Sequence, residues 1–247
     1  MDLGILEQGI KILCENDKEI DNLISPRYEE IITLLNLYIK EIETFNPAYG
    51  LVGTTDTNEL IIKHILDSLA PLGIISRLLT PSSLCDLCAS AEPSVRSLRE
   101  TLPKKIADAG SGAGLPGIPL AIVLNQCNFT LIERMGRRAG FLLNTKAVLA
   151  LHNISIEENE LEQVACKQAA CGQTFNLVTF RAFKPLEPKL LKTLLKVCAP
   201  GGIIAAYKGK LEKTEAEMAP LQTAWEAIPY TVPFLGDERH ILAIKAK

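Results

Sequence analysis

The segment Ile106-Ala107-Asp108-Ala109-Gly110-Ser111-Gly112-Ala113-Gly114-Leu115-Pro116-Gly117 constrains this chain more than any other. A short apolar run enters it and a run with helical spacing leaves it. Four glycines in eight residues weaken folding unless the backbone must take positive φ or come close to a ligand. Pro116 suits the first position of a helix, and a helix N-terminus presents N–H groups that have no partner inside the helix. Strand, glycine turn and helix in this order make the ligand-binding corner of a doubly wound α/β sheet.

Two ligand readings follow from the turn. Gly112, Gly114 and Gly117 satisfy the dinucleotide spacing G-x-G-x-x-G, and Glu133, about 20 residues on at the end of the next apolar run, suits a pair of ribose hydroxyls. On spacing alone, NAD and S-adenosylmethionine are both open. Two details favour the second. Asp108 stands two residues before the first glycine, and Gly110, Gly112 and Gly114 alternate strictly. This is similar to the methyltransferase form of the loop, in which the amino-acid end of the cofactor, not a pyrophosphate, lies against the turn.

The rest of the chain is organised around this corner. Residues 1–75 read as a small helical subdomain. Ile31, Leu34, Leu35 and Tyr38 recur at helical spacing, after Ser25 as N-cap and Pro26 as first helical residue, until Asn46-Pro47 ends the pattern. A second helix starts near Thr57 and carries Leu60, Ile61, His64, Ile65 and Leu69 on one face. Residues 76–104 mix Ser, Pro and Cys without a period and read as a linker or insertion.

Residues 105–247 read as one α/β domain. Strands are expected near 105–109, 128–133, 153–157, 175–180, 201–207, 227–232 and 240–246, and helices near 116–125, 136–151, 186–198 and 211–224. The expected architecture is a Rossmann-like, mixed seven-stranded sheet whose last two strands pair antiparallel.

Composition narrows the class. With 47% hydrophobic and 22% charged residues in 247, a disordered chain or a disulfide scaffold is excluded. No run approaches the roughly 18 apolar residues of a membrane span, and the acid-containing start carries no secretory pattern, so a cytoplasmic monomer without a membrane partner is expected. Seven scattered cysteines read as reduced thiols. Cys85-Asp-Leu-Cys88 has no second Cys or His pair at zinc-finger distance, so no metal site is expected. The net charge of -3 hides an asymmetry, because residues 1–100 hold 8 Lys+Arg against 16 Asp+Glu while residues 101–247 hold 18 against 13. The second part is the one suited to an anionic partner.

Taken in order, NPAYGLVGTTDTNELIIKHILDSLAPL, DAGSGAGLPGIPLAI, FTLIERMGRRAGFL, NLVTFRAF and GDERHILAIK resemble the bacterial small-subunit ribosomal RNA guanine-N7 methyltransferases, the glucose-inhibited division protein B family. The resemblance covers about 45–75 and 105–247. It departs at Ala113, where the family usually has proline, at Glu133, where aspartate is commoner, and at Arg137, where lysine is usual. It implies a class I S-adenosylmethionine-dependent fold and methylation of guanine N7 in the decoding region of 16S rRNA, as free RNA or in the small subunit. It also implies cofactor contacts at Gly110, Leu115, Glu133, Leu161, Glu162 and Arg181, beside the loop residues Asp108, Gly112 and Gly114. A methyltransferase with another acceptor, or an NAD-binding protein, is the rival reading.

The residues agree with that chemistry. Guanine N7 has an in-plane lone pair and no proton to lose, so no residue need act as general base, and positioning dominates. After the fourth strand, Thr179-Phe180-Arg181-Ala182-Phe183 lacks the Asn/Asp-Pro-Pro-aromatic cluster of exocyclic-amine methylation. Arg181 is placed to touch the cofactor or donate to guanine O6, and Phe183 to stack on the base or simply fill the core. Arg134, Arg137 and Arg138 open a helix, where positive charge opposes the macrodipole, which points to a phosphate. With Lys208, Arg239, His240 and His64 they are the candidate RNA contacts, against the plainer reading of solvated charges and a packed histidine. Lysines 189, 192, 196, 210 and 213 would add to the same positive surface.

Overall fold

Parallel and antiparallel pairings build one sheet in the order β3-β2-β1-β4-β5-β7-β6. The strands are β1 (Lys105–Ala109), β2 (Asn128–Ile132), β3 (Ile154–Glu157), β4 (Phe175–Arg181), β5 (Cys198–Lys208), β6 (Glu226–Tyr230) and β7 (Arg239–Lys245). β1 to β5 run parallel, and β7 lies antiparallel between β5 and β6. The computed structural model describes residues 4–80, 103–171, 174–181 and 185–246. Strand succession moves outward from β1 through β2 to β3 and then reverses to β4, so the crevice between β1 and β4 is the topological switch point.

Strand side chains alternate between two cores because successive residues point to opposite faces. Ile106, Leu177, Ala205 and Ile241 enter one core; Ala107, Val178, Ile204 and Leu242 enter the other. Helices α1 (Ile5–Asn16), α2 (Lys18–Ile24), α3 (Tyr28–Tyr49) and α6 (Leu72–Leu79) share the first core with α7 (Gly117–Val123) and α8 (Gly136–Val148). Between them, α4 (Thr57–Leu60), a π-helical stretch over Ile61–Leu66 and α5 (Asp67–Leu69) follow without a break. The opposite face is covered by α9 (Leu161–Cys171), α10 (Pro188–Val197) and residues at the end of α11 (Leu211–Met218).

The amino-terminal helices are thus a layer of the α/β structure. Tyr38, fully buried on the apolar face of α3, donates its hydroxyl to Ala113 O in the glycine turn at 2.7 Å. Arg27 reaches the carbonyls of Ile122 and Val123 at the end of α7. Arg138 of α8 donates to Gly50 O at 3.2 Å.

The structure corrects several local expectations. Ser25 does not cap α3. Its hydroxyl bonds Asp21, residues 25–27 form a 3-10 turn, and α3 begins at Tyr28. Asn46-Pro47 does not stop α3 either, because proline forfeits only one bond in a last turn. The helix ends at Gly50, whose left-handed φ of 57° and N–H to Asn46 O close it. Asn46 instead pins the next loop, accepting from Val52 N and donating to Thr54 O. Pro116 is the N-cap of α7, not its first helical residue. Residues 76–79 belong to α6, so the irregular stretch starts later, and most of 76–104, including Cys85 and Cys88, lies outside the described residues. Helix α9 was not expected. Among its described side chains the buried face is Leu161, Val164 and Ala165, a narrow stripe in a polar, alanine-containing run.

Tyr38→Phe should cost about 1–3 kcal/mol, since it leaves the buried Ala113 carbonyl without its donor. An unchanged urea midpoint would show that the bond between α3 and the turn does not stabilise the fold.

Candidate active site

The glycine turn follows β1 at the switch point and is built on two carboxylates. Asp108, fully buried at the end of β1, accepts from Ser111 Oγ at 2.8 Å and from Gly117 N at 3.1 Å. It therefore occupies the N-terminal end of α7. Its second oxygen, Oδ1, is buried without a hydrogen-bond partner among the described residues. Burial raises the carboxyl to about 6, although the bonds from Ser111 and Gly117 and the nearby Arg181 guanidinium act in the other direction.

Glu133 stands just past β2 and accepts from Gly112 N at 2.9 Å through Oε2 and from Met135 N at 2.8 Å through Oε1. The N–H groups of Gly110 and Ser111 bond Ile132 O, and those of Gly114 and Leu115 bond Ser111 O. The turn is thus largely satisfied from within. Gly112 has φ of 57°, and a Cβ added there would meet Arg138 Nη1 at 3.9 Å, an ordinary contact without a clash. Gly114 has φ of 91° and no such room, because a Cβ would come within 2.4 Å of Ile118.

On the other side of the crevice Arg181 ends β4. Register pairs Asp108 with Thr179, two residues before Arg181, and the Arg181 charge acts on Asp108. Its Nη1 donates to Asp67 Oδ2 at 3.0 Å, Lys63 O at 3.1 Å and His64 O at 3.4 Å, and its Nη2 to His64 Nδ1 at 2.9 Å. The wide π turn over Ile61–Leu66 is where a guanidinium can reach helix carbonyls. Asp67 is itself buried, and its Oδ1 accepts from Tyr230 OH at 3.1 Å and pairs with Arg239 Nε at 3.4 Å. Tyr207 OH donates to Ser68 O at 2.9 Å in the same seam. Burial, with the Arg181 charge next, pushes His64 down to about 4, so the imidazole is neutral near pH 7.

The structure brings Asp108, Gly110, Gly112, Gly114, Leu115 and Glu133 together at one turn, with Arg181 and His64 across the crevice. Leu161 and Glu162 open α9 after β3, Leu161 buried in the second core and Glu162 exposed. Arg134 pairs with Glu160 at 3.6 Å on the surface, and Arg137 is exposed. Arg138 turns back toward Gly112 and Gly50.

Three expected RNA contacts have partners within the chain. Lys208 Nζ is held by both oxygens of Glu217 at 2.8 and 2.7 Å. Arg239 is drawn to Asp67 and Asp237. His240 is buried in β7, bonded through Nε2 to Thr214 Oγ1 at 3.0 Å, and burial holds its pKa below the usual histidine value. Arg181 directs Nη1 and one Nη2–H to the helix, and its charge also acts on Asp108. Phe183 lies outside the described residues. Reading the sequence missed Tyr38 and Tyr230 as polar partners. The signal available for Tyr38 was a hydroxyl on an otherwise apolar helical stripe, since a buried tyrosine needs an acceptor.

The family model described as rRNA small subunit methyltransferase G matches residues 88–242. The ribosomal RNA small subunit methyltransferase G of Treponema denticola is 37% identical over 254 residues, covering 98% of this chain and 94% of that protein. The same-named protein of Treponema pallidum strain Nichols is 37% identical over 219 residues, covering 87% and 85%, respectively. That of Cellvibrio japonicus is 32% identical over 211 residues, covering 84% and 83%.

Gly112→Ala should cost about 1–2 kcal/mol for the left-handed backbone alone. Gly114→Ala should cost about 1–3 kcal/mol more, from overpacking against Ile118 and Leu142. Equal urea midpoints for the two variants would contradict this account of the turn.

Proposed function

The chain belongs to the rRNA small subunit methyltransferase G family, and from that premise we propose that it moves the methyl group of S-adenosylmethionine onto N7 of a guanine in the decoding region of 16S rRNA. The observation that carries the cofactor is the place of Asp108. A pyrophosphate needs the start of the helix free and positive. Here a buried carboxylate already takes the Gly117 N–H, so a second anion is repelled and a cation is favoured. This decides for a sulfonium cofactor against the dinucleotide reading that the glycine spacing left open.

The remaining residues fit the same cofactor. Each Glu133 oxygen spends one lone pair on a backbone N–H and keeps another for a ribose hydroxyl. Gly112 puts no side chain over the turn. Gly110, Gly114 and Leu115 would shape its floor, and Leu161 and Glu162, beyond β3, would lie on the adenine side. S-adenosylmethionine, when bound, supplies an electrophilic methyl group on a sulfonium. The chain's own work is to hold N7 in line with it, at about 3 to 3.5 Å.

The state of the crevice supports a reaction that needs no base. Asp108 is buried and bonded, His64 Nδ1 accepts from Arg181, and the hydroxyls of Tyr38 and Tyr207 donate to carbonyls. For the RNA we propose Arg134, Arg137 and Arg138 as phosphate contacts. Arg137 is the most available of these, since it is exposed and no carboxylate pairs with it among the described residues. Lys210 and Lys213, both exposed, extend the positive surface.

Incubation with methyl-labelled cofactor and small subunits lacking the modification, followed by borohydride and aniline cleavage, should give a single cut in the decoding region of 16S rRNA. Label elsewhere, or none while adenosylhomocysteine still binds, would reject the acceptor and leave the fold untouched. A second outcome follows from the Asp108 carboxyl at about 6. A folded-state value raised above the ordinary one means that its protonated form is favoured, so Asp108 stabilises the ligand-free protein fully below about pH 4, and that contribution is lost as pH rises through 6. Binding of a cation favours the ionised form. Affinity for S-adenosylmethionine should therefore fall as pH drops from 7.5 to 5, more steeply than affinity for the uncharged-sulfur product. Parallel pH profiles in calorimetry would remove Asp108 from cofactor recognition.

A further inference from the structure

We infer that His64 reads O6 of the target guanine through its Nε2–H, held in place by Arg181; this rests on the methyl-transfer reading above. Arg181 is turned toward the helix, where Nη1 serves three acceptors and one Nη2–H serves His64. A guanidinium has donors only, so the imidazole Nδ1 facing it at 2.9 Å must be the unprotonated nitrogen. The proton of the neutral ring is then on Nε2. That atom has no partner among the described residues and does not count among their fully buried unsatisfied atoms, so on this half-buried histidine it keeps some exposure. His64 thus presents one oriented, uncommitted N–H.

Its position suits the acceptor. Glu133 and β2 define the ribose side of the switch point, and β4 with Arg181 defines the opposite side. His64 is fastened to that opposite side, where the reacting base must enter. On the major-groove edge of guanine, O6 is the acceptor next to N7. A donor bonded to O6 turns N7 toward the methyl group. The same donor meets the N6 amino group of adenine as a clash of two donors, so one hydrogen bond gives both alignment and selection of guanine.

The test compares wild type, His64→Gln and His64→Leu on small subunits lacking the modification, with single-turnover transfer of labelled methyl and calorimetry of adenosylhomocysteine in parallel. Glutamine can accept from Arg181 through its oxygen and still offer an amide N–H; leucine can do neither. His64→Leu should slow transfer by on the order of ten- to a hundredfold, His64→Gln by only a few-fold, and both should bind adenosylhomocysteine within about twofold of wild type. Replacing the target nucleotide by inosine, which keeps O6, should preserve wild-type transfer. Wild-type rates in His64→Leu, equal losses in both variants, or a parallel loss of adenosylhomocysteine affinity would overturn the assignment. Absence of transfer by wild type, with adenosylhomocysteine bound, would overturn the reaction reading itself and this inference with it.

Discussion

A single buried carboxylate, Asp67, ties the helical layer to the catalytic edge of the sheet. It accepts from Arg181 at the end of β4 and from Tyr230 of β6, and it pairs with Arg239 of β7. Taking this carboxylate out of water costs several kcal/mol, and its partners offset that cost only when all are in place. Apolar residues of similar volume would fill such a seam at no loss of stability, and often at a gain. Stability is therefore a weak reason for the ion pair to be here. Geometry is a stronger one. The pair sets how the π stretch of Ile61–Leu66 lies against the β1–β4 crevice, and so where His64 stands.

The same seam explains which part of the fold was legible in sequence. Periodicity is local, and the strands and most helices of the α/β part were found to within a few residues because period-two and helical patterns are written in adjacent positions. Alternation of strand and helix also implied a mostly parallel sheet with its last two strands antiparallel, as the pairings have it. Partners are not local. Nothing in the neighbourhood of Lys208 says that Glu217 will take both its donors, and nothing near Arg239 or His240 says that one will turn to Asp67 and the other to Thr214. Charge is legible in the sequence as charge, but the partners it finds within the chain are not. Helix α9 was lost for the opposite reason, since its buried face carries too little apolar signal in its own residues.

The glycine turn was legible in a finer sense. Glycine spacing marked a candidate site but was neutral between two cofactors. Asp108 broke the tie in sequence by position alone, and its physical role emerged only with the fold, where it fills the helix start that a pyrophosphate would need. Sequence reading had expected that helix start to offer free N–H groups. In the structure most of the turn's N–H groups are spent on Ile132, Glu133, Ser111 and Asp108, so the helix start keeps few of them for a ligand.

Charge also links the two sides of the crevice. In methyl transfer from a sulfonium to guanine N7, positive charge leaves the cofactor side and arrives on the base, with no change in total. Asp108 lies on the first side, buried and without water to screen it. On the second side an unpaired Arg181 would oppose the charge arriving on the base. Asp67 cancels that opposition at 3.0 Å, and His64, held neutral, adds none. On the proposed reading the two aspartates act differently: Asp108 favours binding of the cationic cofactor and holds back the departure of its charge, while Asp67, paired with Arg181, removes an obstacle to the arrival of that charge on the base.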